Sequence, residues 1–182
     1  MYSFSASPCF GTESLMTDYS TLLEQIRAYA ETDSHPVPLL SNVSALLKNS
    51  MEDVSWAGFY LFRNGRLVLG PFQGKPACTH IDYGKGVCGT AIAEKVTQVV
   101  PDVHAYPGYI DCDCAAESEI VVPMFRIVRS VNHCEVPETA GGMNRIRYGV
   151  LDLDSPVPAR FTEADREGLE AIVRFLESVI QY

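Results

Sequence analysis

The spacing of hydrophobic positions changes twice along the chain. Leu22, Leu23, Ile26, Tyr29 and Ala30 recur with helical spacing, and Leu39, Leu40, Val43, Leu46 and Leu47 repeat the pattern. Two helices are predicted, separated by the stiff segment His35-Pro36-Val37-Pro38. From Val54 the pattern becomes strand-like. Val54 to Phe62 is rich in aromatic residues, Asn64-Gly65 is a favoured two-residue turn, and Leu67 to Phe72 returns, so a hairpin is predicted. Further strands are expected at Ala77 to Ile81, Thr97 to Val100, Glu119 to Phe125 and Arg147 to Asp154. Gly84-Lys85-Gly86 leads into a short predicted helix from Val87 to Lys95. Helical spacing returns at the end. Thr162 with Asp165 three residues on is a capping signature, and Leu169, Ile172, Val173, Leu176 and Ile180 form one apolar stripe. Helices at both ends with strands between them predict an α+β fold, with helices packed on an antiparallel sheet. Residues 1–16 are Ser-rich and aperiodic and read as a loose N-terminal extension. A single domain is expected over 17–182, with Val128 to Asn144 as a loop or extended hairpin tip.

Composition narrows the function. The chain has 182 residues, a net charge of -9 and six cysteines. The length suits one core. The acidic balance argues against nucleic acid and anionic membranes as partners, since both are polyanions. No run approaches the roughly 20 apolar residues that span a bilayer. Met1 to Gly11 lacks a basic start and an apolar stretch, so no secretory signal is read and a cytoplasmic address is expected. In that reducing compartment, six cysteines point to redox chemistry, metal, catalysis or small buried side chains rather than a disulfide scaffold.

Alternation along the strands groups the polar candidates. Leu151 and Leu153 point to one face, and Asp152 and Asp154 share the other. Two carboxylates in a cleft can hold a proton near neutrality or bind a cation, while on an open face they are merely solvated. Trp56, Gly58 and Tyr60 also share one strand face. They can form a flat wall beside a ligand or a second packed layer. Cys88 falls at the start of the short helix, a position that lowers a thiol pKa. Cys78 is placed on the short strand before it. Cys112 and Cys114 lie in the loop-like Asp111-Cys112-Asp113-Cys114, where neighbouring acids raise a thiol pKa. Cys9 and Cys134 fall in the tail and the polar insertion and read as incidental. No Cys-x-x-Cys pair exists, and Cys112-x-Cys114 is tighter than zinc-knuckle spacing. His80 and His104 complete a metal site only by tertiary accident, so no metal and no cofactor is expected. Gly84-Lys85-Gly86 lacks the Walker pattern and is a weak phosphate cradle.

Six segments in order carry a family resemblance. They are Ser55-Trp56-Ala57-Gly58-Phe59-Tyr60, Gly70-Pro71-Phe72-Gln73-Gly74-Lys75-Pro76-Ala77-Cys78, and Gly84-Lys85-Gly86-Val87-Cys88-Gly89-Thr90-Ala91. Pro101-Asp102-Val103-His104, Ser118-Glu119-Ile120-Val121-Val122-Pro123 and Gly149-Val150-Leu151-Asp152-Leu153-Asp154-Ser155-Pro156 complete the set. The chain resembles the free methionine-(R)-sulfoxide reductases, which are built on a GAF domain. The resemblance implies a six-stranded antiparallel sheet with N- and C-terminal helices on one face and a lidded pocket on the other, commonly in a homodimer. It implies thiol-dependent reduction of free L-methionine (R)-sulfoxide. The resemblance places the family's three working cysteines at Cys78, Cys88 and Cys112; among them we assign Cys112 as the attacking nucleophile and Cys78 as the resolver, with Cys88 the alternative nucleophile from its helix-start position. Trp56 and Tyr60 would hold the methyl-sulfur end, and Glu119, Asp152 and Asp154 would be the pocket acids. A thioredoxin-like dithiol would recycle the disulfide. The rival reading is a non-catalytic GAF module that binds a small ligand or senses redox state. The chain departs from the family pattern at Cys114, where a small residue is usual, and in an insertion at about 127–145.

Overall fold

A computed structural model describes residues 17–110, 112, 115–128 and 144–180. Cys9, Cys114, Cys134, the N-terminal extension and the tip of the insertion lie outside the described residues.

Two helices open the described chain, α1 (Tyr19–Thr32) and α2 (Pro36–Ser50). Asp18 caps α1 by accepting from the Ser20 and Thr21 amides. The expected break at His35 to Pro38 lies a little earlier. Asp33 to His35 separate the helices, and Pro36 and Pro38 sit in the first turn of α2. There the missing amide hydrogens are no loss, because first-turn amides have no intrahelical acceptor.

The predicted hairpin forms between β1 (Trp56–Arg63) and β2 (Arg66–Gln73), with Arg63 opposite Arg66. Asn64 and Gly65 both take positive φ, as this tight turn requires. β3 is shorter than expected, His80–Asp82, so Cys78 precedes the strand rather than lying on it. Next come α3 (Gly86–Glu94), β4 (Gln98–Val100) and a 3-10 turn at Val103–Ala105. β5 (Ser118–Val128) and β6 (Asn144–Ser155) outrun the predicted strands and remain paired as far as Val128 opposite Asn144. The insertion therefore begins and ends as sheet.

The six strands form one antiparallel sheet in the order β3-β2-β1-β6-β5-β4. α1, α2 and α4 (Glu163–Val179) cover one face, where Ala57, Phe59, Leu151 and Leu153 meet Leu40, Ile172 and Leu176 in the main core. α4 starts at the predicted capping box between Thr162 and Asp165. Asp165 also accepts from the Tyr19 hydroxyl at 2.7 Å and from Arg160 at 3.3 Å, which ties α4 to α1. Gly168 allows this contact, since a Cβ there would fall inside the Tyr19 ring. The other sheet face carries α3 and a second apolar cluster including Trp56, Tyr60, Val87 and Val121. The functional candidates lie between this layer and the sheet.

Candidate active site

Register places the site. On the three central strands Trp56 lies opposite Asp154, and Asp154 lies opposite Glu119. One step along, Gly58 lies opposite Asp152, and Asp152 opposite Val121. Alternation turns Trp56, Tyr60, Glu119, Asp152 and Asp154 away from the three-helix core, while Phe59, Leu151 and Leu153 fill it. Asp152 and Asp154 are thus pocket groups and not a solvated face.

Trp56 and Tyr60 are 1% and 2% exposed. The indole stacks on Phe72 at 5.3 Å and on Tyr60 at 5.9 Å, and its Nε1 donates to the Lys75 carbonyl at 3.1 Å. Gly58 is required beneath it, since a Cβ would lie 2.6 Å from the Trp56 ring and 2.4 Å from Phe72 Cβ. The two readings of this wall therefore merge, because the aromatics are packed and also line the cavity.

Opposite the wall, α3 brings Cys88 down onto the acids. Cys88 is buried and its Sγ donates to Asp152 Oδ2 at 3.3 Å. Burial pushes its thiol well up, and the charges of Asp152 and Glu119 push it further. This reverses the expected lowering by the helix start. Desolvation and two adjacent carboxylates outweigh the partial positive charge of one helix end. Burial also pushes the Glu119 carboxyl well above its ordinary range, reinforced by Asp152 and Asp154. Asp152 is raised to about 7, chiefly by burial, against lowering hydrogen bonds from Cys88 and Glu119. Glu119 and Asp152 behave as one buried pair that shares a proton.

The third wall is the segment after Gly108, whose positive φ of 73° turns the chain. Tyr109, Ile110 and Cys112 close over the pocket, with Ile110 against Gly86. Cys112 is bonded to Cys78, with their Cα atoms 5.3 Å apart. The enclosed space is narrow. About 30 Å³ admits the centre of a water-sized sphere, room for about two waters.

Seven of the eight predicted residues (Trp56, Tyr60, Cys88, Cys112, Glu119, Asp152 and Asp154) line this one cavity. The eighth, Cys78, is outside it but covalently joined to its rim. The sequence did not signal Ile81 and Val87 as lining residues, since both read only as apolar positions. His104 is not at the cavity; it lies 3.5 Å from Glu117 on the surface.

A sheet with helices on one face and a thiol- and acid-lined pocket on the other defines a class, the GAF domain. That domain family matches residues 19–180. The free methionine-R-sulfoxide reductase of Escherichia coli is 43% identical over 162 residues, covering 89% of this chain and 88% of that protein. The structure of fRMsr of Staphylococcus aureus in its reduced form superposes with a TM-score of 0.78 at 43% identity, covering 94% of this chain and all of that one. A free methionine-R-sulfoxide reductase of Neisseria meningitidis, solved in complex with its substrate, superposes at 0.75 and 36% identity, covering 99% and 95%. The chain belongs to the free methionine-R-sulfoxide reductase family of GAF-domain proteins.

Proposed function

We propose that this protein reduces free L-methionine (R)-sulfoxide to L-methionine. The observation that carries the reading is a cavity with three acids and two stacked aromatics whose rim cysteine, Cys112, is already bonded to Cys78. Cys112 is the attacking thiol and Cys78 the resolver. This assignment is supported by Cys112 lining the cavity while Cys78 stands outside it. The Cys112 sulfur attacks the sulfoxide sulfur, oxygen is transferred, methionine leaves and a sulfenic acid remains. The Cys78 thiol condenses with it, releasing water and forming the disulfide. An external dithiol of the thioredoxin type reduces that disulfide, taking up the oxidising equivalents.

The sulfoxide oxygen must gain a proton to leave. A carboxyl group held protonated near neutrality can donate it, and Glu119 is the group that burial and its neighbours keep in that form. Trp56 and Tyr60 take the methyl-sulfur end, and Asp152 and Asp154 answer the α-ammonium. Recognition of a free ammonium excludes methionine at every peptide position except the N-terminal one. The homodimer accompanies this reading on the family resemblance, and the cytoplasmic address as the default expected from the sequence.

The test is NADPH consumption with free methionine (R)-sulfoxide, thioredoxin and thioredoxin reductase. Turnover with the free amino acid but not with an oxidised peptide is expected. Binding of methionine without reduction, under conditions that reduce the Cys78–Cys112 bond, overturns the reading in favour of a non-catalytic ligand module.

A further inference from the structure

We infer that Cys88, Glu119 and Asp152 form a binding site for a thiophilic divalent cation of the zinc class. One ligand atom from each lies within 4.8 Å of the others, and all three residues are buried. The edge from Cys88 Sγ to Asp152 Oδ2 measures 3.3 Å. A tetrahedral zinc with bonds of about 2.3 Å to sulfur and 2.1 Å to oxygen needs that edge near 3.6 Å. That one edge is thus within a few tenths of an ångström of the required length, and the other two are bounded by 4.8 Å.

A separate observation points the same way. Asp152 is 6% exposed, and its buried Oδ1 meets no N–H or O–H donor apart from a proton that Glu119 can carry. Such an oxygen is satisfied by that shared proton or by a cation. The described residues lining the cavity include three carboxyl groups and no Lys or Arg, so those residues supply no positive charge there. The thiol selects the class of ion. Sulfur favours zinc or cadmium over magnesium or calcium, which take oxygen ligands alone.

Binding involves no oxidation. The Cys88 and Glu119 protons pass to solvent, and sulfur and two carboxylate oxygens bind the ion. The fourth position remains open towards the cavity. Because Cys78 and Cys112 are bonded to each other, the site is complete in the oxidised protein and separate from the redox pair. The inference goes beyond the reductase reading and does not require it. Where that reading holds, the ion occupies the pocket floor and excludes substrate.

The test uses the full chain with its Cys78–Cys112 bond intact and Cys9, Cys114 and Cys134 replaced by serine. It is titrated to equilibrium with cadmium chloride, following the thiolate-to-cadmium charge-transfer band in the ultraviolet, with zinc stoichiometry from equilibrium dialysis. One equivalent and a saturating band are expected. Cys88→Ser should remove the band. Glu119→Gln and Asp152→Asn retain the thiol and should each weaken cadmium binding at least about tenfold. No band in the parent protein overturns the inference without reliance on any variant's folding. A band that survives Cys88→Ser, or an affinity unchanged in both carboxamide variants, also overturns it. Because the readout needs no turnover, failure of the reductase assay leaves this test intact.

Discussion

Three thiols near one pocket differ because their surroundings differ. Cys112 lies at the half-buried rim, Cys78 just outside, and Cys88 on the floor beside two acids that disfavour its thiolate. These surroundings favour the rim cysteine over the alternative nucleophile proposed from position on a helix. Cys112→Ser should abolish turnover. Cys78→Ser should still reduce about one equivalent of substrate and then stall with a sulfenic acid, read by mass spectrometry after dimedone labelling. The acids divide similarly. Glu119→Gln preserves the shape of the pocket but removes the proton donor, so kcat should fall about 100-fold or more. Its measure is steady-state kinetics with binding of methionine followed separately.

At the level of single elements, α4 and the acid-bearing strands answer pH in opposite ways. Burial alone would raise Asp165, but hydrogen bonds from Thr162 and Tyr19 and the charge of Arg160 hold it below the ordinary aspartate range. Its contribution to stability is present above about pH 4 and is lost as pH falls. Glu119 and Asp152 have raised folded pKa values. The folded state then binds more protons than the unfolded chain, so stability is highest below the unfolded value of about 4 and falls as pH rises towards about 7. The Tm of the oxidised protein should therefore fall between pH 5 and pH 8, and Glu119→Gln should flatten that slope, as differential scanning calorimetry would show. Thr162→Ala removes half of the capping box and should cost about 1 kcal/mol in urea unfolding, with little effect on catalysis. The two ends of the long hairpin are also separable. Glu119 pairs with Asp154 at one end and Val128 with Asn144 at the other, about 30 Å away along the strand. Replacing residues 129–143 with an Asn-Gly turn should leave kcat/KM within about twofold.

For the whole molecule, the decisive feature is that the disulfide and the closed pocket occur together. Cys112 lines the cavity and is tied to Cys78, so the disulfide fixes that wall of the pocket in the oxidised protein. The chain has one tryptophan, Trp56, and it lies in the pocket wall. Methionine should therefore change tryptophan emission in the reduced protein and leave the oxidised protein unaffected. An equal response in both states would mean that the disulfide does not hold the pocket shut.

The sequence alone determined much of this architecture. Helical and alternating spacings, the Asn64-Gly65 turn and the Thr162 capping box locate most elements, because each is a local property of a few neighbouring residues. Alternation also placed Asp152 and Asp154 on one face and Leu151 and Leu153 on the other. The ordered motifs gathered the pocket residues into one family pattern before any distance was known. The tertiary structure decided what depends on desolvation and long-range proximity. The thiol of Cys88 is pushed up, not down, because the fold buries it against residues distant in sequence. Cys112 meets Cys78 across 34 positions, and Asp152 is left with an oxygen that only a proton or a cation can answer. No spacing rule reports these facts, because the energies concerned arise from burial and from partners that only folding brings together.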